Sequence, residues 1–220
     1  MIKQQTFDFL ADLAKNNNRD WFMANKGRYE TARENVIEFT DALLIELRKV
    51  EPSMSTELEG KKCVMRIYRD IRFSKDKTPY KNNFGISLPI SGAKLGGAEY
   101  YFQIQPGKSM IAGGYWMPTA DHLKQIRQEI DYNAADLTTI IDAPEFIKLF
   151  GKFREQDKLK TVPRDYSADN ENIELLKLKS FVAFHNLKDK ELMTKDSVNL
   201  IAELCSKIYP LNVFLRNAMV

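Results

Sequence analysis

Apolar residues recur at helical spacing over residues 3–15, where Phe7, Leu10, Leu13 and Ala14 share a face; the spacing predicts a short amphipathic helix. The Asn16-Asn17-Asn18 run interrupts it and offers Asn18 as the N-cap of the next helix. From Trp21 one stripe follows, Trp21, Asn25, Tyr29, Ala32, Val36, Phe39, Leu43, Leu47 and Val50. It predicts a single long helix with Gly27 as its weak point and Glu51-Pro52 as its end.

From Lys62 the period changes to two. Cys63, Met65, Ile67, Ile71 and Phe73 form an apolar set, with Arg69 as the exception, while Arg66, Tyr68, Asp70 and Arg72 fill the alternate positions. Further strands are predicted at Phe84 to Ile90, Glu99 to Gln105 and Met110 to Trp116, joined by turns at Gly96-Gly97 and Pro106-Gly107. Such short connections predict an antiparallel meander over about residues 62–116. Phe84, Ile86 and Leu88 alternate with Gly85, Ser87 and Pro89, and Tyr100, Phe102 and Ile104 with Tyr101, Gln103 and Gln105. One sheet face is therefore expected against helices and the other open to solvent or a ligand.

After Pro118 a helix capped by Thr119 is expected, then a second from Asp131 or Asn133 to Asp142. A third begins at Pro144 and is closed by Gly151. Lys152 to Tyr166 reads as a polar loop or hairpin, Asn170 to Lys177 as helical and Phe181 to Phe184 as extended. Asp196 to Tyr209 is helical again, and Pro210 is expected to separate it from a last piece, Leu211 to Ala218. The whole is an α+β fold: an antiparallel sheet covered on one face by N-terminal and C-terminal helices, in a single domain spanning 1–220.

Composition narrows the class. With 44% hydrophobic and 29% charged residues the chain is expected to fold rather than remain disordered. Cys63 and Cys205 are far apart and outside any C-x-x-C pattern, so both are read as buried thiols. No signal-like start and no apolar run of roughly 18 residues is apparent, so the expectation is a cytoplasmic protein without a membrane partner. The net charge of +3 is local: residues 66–81 hold six cations and two acids, and the remaining residues carry 27 Lys or Arg against 28 Asp or Glu.

That segment reads R-I-Y-R-D-I-R-F-S-K-D-K-T-P-Y-K. Two unit charges about 6 Å apart repel by roughly 1 to 3 kcal/mol at effective dielectrics of 80 to 20, and exposed pairing recovers only about 0 to 1 kcal/mol. A bound anion would repay the clustering. The candidate ligand-binding residues are Arg66, Tyr68, Arg69, Asp70, Arg72, Lys75, Lys77, Tyr80, Lys81 and Tyr101, with Asp70 orienting an arginine or serving as a base.

Four blocks resemble a family known only as domain of unknown function 2461. They are F-D-F-L with N-N-x-R-D-W-F and N-K-x-x-Y, the basic segment itself, Q-P-G-K-S-M-I-A-G-G-Y-W-M-P, and L-L-K-L-K-S-F. The resemblance covers nearly the whole chain and implies a bacterial-type intracellular protein of one domain, with no activity attached. Trp21, Phe22, Arg69, Asp70, Arg72, Phe73, Lys77, Pro79, Tyr80 and Lys81 match its signature positions. Where such proteins are expected to carry a glycine and a His-Pro pair before L-L-K-L-K, this chain has Asp165, Asn170 and Glu171, which removes any role for a histidine there.

The usual catalytic templates are absent: no phosphate-binding glycine loop and no nucleophile elbow. His122 and His185 are read as ordinary helix or loop residues, no histidine pair seats a metal, and no cofactor is evident. Three readings of the basic segment follow. The first is a site for, or chemistry on, a phosphate-bearing or other anionic small molecule. The second is nucleic-acid binding with Tyr68, Tyr80 and Tyr101 as stacking platforms, against which the modest overall charge counts. The third is a structural or interaction module whose Arg and Asp residues form an internal salt-bridge network.

Overall fold

A computed structural model describes residues 1–90, 97–152 and 158–219. Gly96 of the expected Gly96-Gly97 turn, and residues 153–157 of the expected Lys152 to Tyr166 loop, lie outside the described residues.

The N-terminal helices are α1 (Gln4–Lys15), α2 (Arg19–Ala24) and α3 (Lys26–Val50). Asn18 caps α2 as expected, its side chain accepting the Trp21 N–H at 3.0 Å. The long helix expected from Trp21 instead breaks at Asn25 (φ −111°, ψ 19°), two residues before Gly27. There the Asn25 amide donates to the Trp21 carbonyl at 2.9 Å, a local bond with which asparagine competes against the helix. The stripe on α3 is the core face, with Ala32, Val36, Phe39, Leu43, Leu44 and Leu47 buried.

A four-residue helix, α4 (Gly60–Cys63), precedes the sheet strands β1 (Phe84–Leu88), β2 (Glu99–Ile104), β3 (Ser109–Tyr115) and β4 (Phe181–Leu187). They form one antiparallel meander in the order β1-β2-β3-β4, with N-terminal and C-terminal helices packed on it, an α+β fold. The alternation along β2 is as read: Tyr100, Phe102 and Ile104 are fully buried, while Tyr101 and Gln103 are half-exposed. Phe181, expected only to be extended, opens the fourth strand.

The period-two stretch from Lys62 does not become a strand. Cys63 closes α4, and the segment pairs only through isolated antiparallel bridges, Val64 with Ile86 and Tyr68 with Tyr80. Met65 is 43% and Phe73 96% exposed, so the apolar parity does not mark a buried face. The physical reason lies in the two aspartates. Asp70 accepts the Arg72 N–H at 3.3 Å and Asp76 accepts the Thr78 N–H at 2.9 Å, and these local turns replace a ladder.

The chain divides into two compact units: Met1–Gly92 with Tyr101–Ile111 and Asn186–Leu204, and Ala93–Tyr100 with Ala112–His185 and Cys205–Val220. The first holds α1 to α4, β1 and the short helix α8 (Asp189–Leu192). Here Phe39 meets Phe102 with ring centroids 5.7 Å apart, and the Pro106-Gly107 turn is present, with Gly107 at φ 67° and its N–H donating to Asp189 at 3.0 Å.

The second unit holds α5 (Ala120–Ile141), α6 (Pro144–Phe150) and α7 (Ile173–Leu176). The Thr119 hydroxyl caps α5 by accepting the His122 N–H at 3.3 Å, and the expected junction inside α5 is the non-helical Asn133 (φ −130°, ψ 38°). Helix α9 (Ser197–Asn217) corrects the separation expected at Pro210, because it runs through that residue without a break. A mid-helix proline costs about 3 kcal/mol. Burial of Cys205, Ile208, Leu211 and Leu215 along one stripe offsets it. Among the described helices only α9 has the length and hydropathy of a membrane span, and half of its apolar window is buried inside the protein, as in a core helix. Both cysteines are buried thiols outside any disulfide among the described residues, and burial pushes the Cys205 thiol pKa up.

Two of the sequence blocks meet in this second unit. A Cβ at Gly114 (φ 126°) would overlap the Phe181 carbonyl, and the Met117 N–H donates to the Ser180 hydroxyl at 3.0 Å. Arg127 donates to the carbonyls of Leu176 at 2.7 Å and Leu178 at 3.3 Å. Gly114→Ala is therefore expected to destabilise by about 3 kcal/mol or more, since both its conformation and the adjacent backbone forbid a side chain. Gly27→Ala, in α3 with nothing within 4 Å, is expected to gain about 0.5 kcal/mol. Urea denaturation of the two variants checks the contrast.

Candidate functional site

The basic segment folds as a very short hairpin with a stapled loop. The Arg69 N–H donates to the Pro79 carbonyl at 2.9 Å and the Lys81 N–H to the Ile67 carbonyl at 2.7 Å, which makes Tyr68 and Tyr80 a close, non-hydrogen-bonded pair. Two ladder bonds do not hold a hairpin in water. The support comes from the α1–α2 connection. Asn17 donates its amide to the Tyr80 carbonyl at 2.9 Å and accepts the Tyr80 N–H at 3.1 Å, supplying Tyr80 with the partners that a neighbouring strand would give.

Aromatic packing fixes the same residue. Phe22 stacks on Tyr80 with centroids 4.0 Å apart and planes at 16°, and Tyr68 lies 5.4 Å from Tyr80. Tyr29 extends the cluster to Phe22 at 5.2 Å and Phe84 at 6.2 Å, and Phe9 reaches Trp21 at 6.2 Å. The F-D-F-L, N-N-x-R-D-W-F and N-K-x-x-Y blocks thus build the seat of the basic segment.

Half of the clustered cations hold the loop in shape. Arg72 forms a bidentate pair with Asp70, through Nε at 2.9 Å and Nη2 at 2.6 Å, on an exposed surface. Lys77 donates to the Ile71 carbonyl at 2.9 Å. Arg69 spends one nitrogen only: its Nη1 donates to Asp76 at 2.5 Å, to the Thr78 carbonyl at 3.2 Å and to the Thr78 hydroxyl. Its Nε and Nη2 hold no partner among the described residues. Arg66, Lys75 and Lys81 likewise form no ion pair within 4 Å and no hydrogen bond there, although Arg66 is near enough to Asp70 to help lower its pKa.

A cleft of about 390 Å³ opens beside this hairpin, lined by Asn17, Arg69, Asp76, Thr78, Tyr80, Lys81 and the Asn82-Asn83 pair. Of the ten candidate ligand-binding residues, Arg69, Tyr80 and Lys81 line it. Arg66 and Tyr68 are exposed on the hairpin, and Asp70, Arg72, Lys75 and Lys77 belong to the exposed loop. Tyr101 packs on β2 over Gly85, beside Met65, with its hydroxyl 3.4 Å from Gln103. Tyr80 is 4% exposed and its ring is covered by Phe22, so it offers no free face for stacking.

Sequence reasoning missed Asn17, Thr78, Asn82 and Asn83 as cleft residues and Phe73 as the exposed apex of the loop. Asn17 carried a signal, an asparagine between two helices that neither helix needs as a cap. The others carried none.

A protein-family model described as a conserved hypothetical protein (DUF2461) matches residues 5–214. The chain belongs to this family. No curated protein and no solved structure matches it.

Electrostatics set the cleft apart from the loop. Lys81 is half-buried, and its ammonium pKa is pulled down first by that burial and then by the neighbouring Arg66. Asp76 is held down to about 2, first by the Thr78 N–H, then by Arg69 and the Thr78 hydroxyl. With Arg69 and Lys81 against Asp76, the lining carries one net positive charge. A second cleft of about 380 Å³, in the other unit, is lined by apolar Ile141, Phe146, Ile147 and Leu178, and its Glu174 is already held by Lys158 at 2.9 Å and Lys177 at 2.8 Å. Among the described residues no group of three or more His, Cys, Asp or Glu side chains is placed to hold a metal.

The Asp76 staple has a pH signature. Its folded pKa of about 2 lies below the ordinary carboxylate value near 4, so it stabilises the loop above pH 4 and loses that contribution as pH falls toward 2. An NMR titration is expected to place the Asp76 midpoint near 2, with Arg69→Gln raising it only part of the way, because the Thr78 N–H remains. A wild-type midpoint near 4 would mean that the staple is not formed in solution. Asn17→Ala should lower global stability by about 1 to 3 kcal/mol, measured by urea denaturation, since it leaves the Tyr80 N–H and carbonyl without partners.

Proposed function

We propose that the cleft beside the basic hairpin binds a small anionic molecule, and that this is the function of the protein's charged segment. One observation carries the reading. Arg69 is immobilised through Nη1 while its Nε and Nη2 are unpaired among the described residues, and it shares the cleft with Lys81, an ammonium with no counter-ion among them. A guanidinium held along one side and open along another is preorganised for two parallel bonds to a carboxylate or phosphate. Asn82 and Asn83 add amide donors and acceptors to the same wall.

The net charge of the lining favours a singly charged ligand over a polyphosphate. The paired cations support the internal-network reading for the loop alone: Asp70 with Arg72 and Asp76 with Arg69 give the loop its shape, and the open groups that line the cleft, on Arg69 and Lys81, serve the ligand. The same pairing counts against Asp70 as a base, since a carboxylate whose pKa is lowered by two bonds from Arg72 is a poor proton acceptor. A nucleic-acid partner draws less support, because Tyr80 lacks an open ring face and Arg72 already holds a carboxylate with two of its nitrogens.

Thermal unfolding in a small monocarboxylate, against chloride at equal ionic strength, tests the proposal. A ligand at a hundredfold its Kd adds about 2.7 kcal/mol of stability. The wild-type chain is expected to show that gain and Lys81→Gln to lose most of it, while its ligand-free stability changes by only about 0.5 kcal/mol. Equal responses of the two proteins would end the proposal.

A further inference from the structure

We infer that Lys81 is a reactive amine, and that the cleft takes a small monoanionic carbonyl compound of the oxo-acid class, which condenses with Lys81 to an imine. The inference rests on the reading of the cleft as an anion site and adds a chemical step to it.

Lys81 differs from the lysines that serve structure. Lys77 donates to a carbonyl, and Lys158 and Lys177 both pair with Glu174. Lys81 is drawn into a cleft, kept from full hydration and given no carboxylate among the described residues. Asp76 is the one acid lining the cleft, and its oxygens already accept from Thr78 and Arg69. Burial and a neighbouring guanidinium both lower the pKa of its ammonium, and these are the two influences by which a lysine is made more nucleophilic.

Register supplies the second half of the argument. Arg69 stands opposite Pro79 and Lys81 opposite Ile67, which makes Arg69 and Lys81 diagonal neighbours on one face of the hairpin, about 7 to 8 Å apart at the backbone. An oxo acid carries a carboxylate and a carbonyl on one short skeleton. The open donors of Arg69 suit the carboxylate, and Lys81 lines the same cleft as the partner for the carbonyl carbon.

The step balances without an oxidant or reductant. The Nζ lone pair forms a C–N bond to the carbonyl carbon while the C=O π pair moves onto oxygen. The two nitrogen protons transfer to that oxygen, which leaves as water, and a C=N bond remains.

The test is reductive trapping on the full chain with glyoxylate or pyruvate and cyanoborohydride, read by peptide mass spectrometry. Lys81 is expected to carry the carboxyalkyl label at a rate at least about tenfold above the median of the other lysines, the minimum that holding the carbonyl in the cleft should give. Acetone, a carbonyl without the carboxylate, should show no such preference. Lys81→Arg should abolish the selective label while circular dichroism shows the fold unchanged. Label spread over the lysines according to exposure, or an equal preference with acetone, overturns the inference. Thermal stabilisation by the same two acids without reductant separates the two failures: if it persists in wild type, the anion site stands and only the imine falls; if it is absent as well, both fall.

Discussion

The bond pair between Asn17 and the main chain of Tyr80 is the constraint on which the site depends. A ladder of two hydrogen bonds cannot keep the Ile67 to Arg69 and Pro79 to Lys81 arms together against water. Two bonds worth about 1 kcal/mol each, plus a stacked ring worth roughly 0.5 to 1.5 kcal/mol beyond its burial, tip the balance. Asn17 supplies the first and Phe22 the second. Both come from the helical N-terminus, so the wall of the cleft is set by residues that carry no charge.

Charge then divides by task. Asp70 and Asp76 are each placed to satisfy a backbone N–H two residues on, and each recruits an arginine while doing so. This converts the repulsion of a cation run into loop shape. Of what remains, the open donors of Arg69 and the ammonium of Lys81 share one cleft, while Arg66 and Lys75 face solvent. A uniformly solvated run would have left its cations interchangeable; here Arg69 and Lys77 have different partners and different consequences.

Much of the helical architecture was legible because its signals are local. Asn18, Thr119, Pro144 and Gly151 cap or close helices where their chemistry predicts, and Asn133 marks the junction within α5. The alternation along β2 was equally direct, since every second residue meets the core. Residues 62–73 misled because period two is also what an irregular extended segment shows, and no pattern warned that Asp70 and Asp76 would turn the chain. Pro210 misled in the opposite sense, its local penalty overridden by buried neighbours on both sides. In the candidate site the charged residues were visible and their division of labour was not, because a sequence lists cations without saying which carboxylate each one meets.

Because Asn17 and Tyr80 are separated by 63 positions, the cleft is a product of long-range closure. Bringing such distant positions together costs chain entropy before any contact rewards it. The cleft should therefore mature late in folding, after α1, α2 and the aromatic cluster are in place. A nascent chain that has not yet released Asn83 has the charges without the pocket, so the presence of the cleft marks completed closure of these long-range contacts.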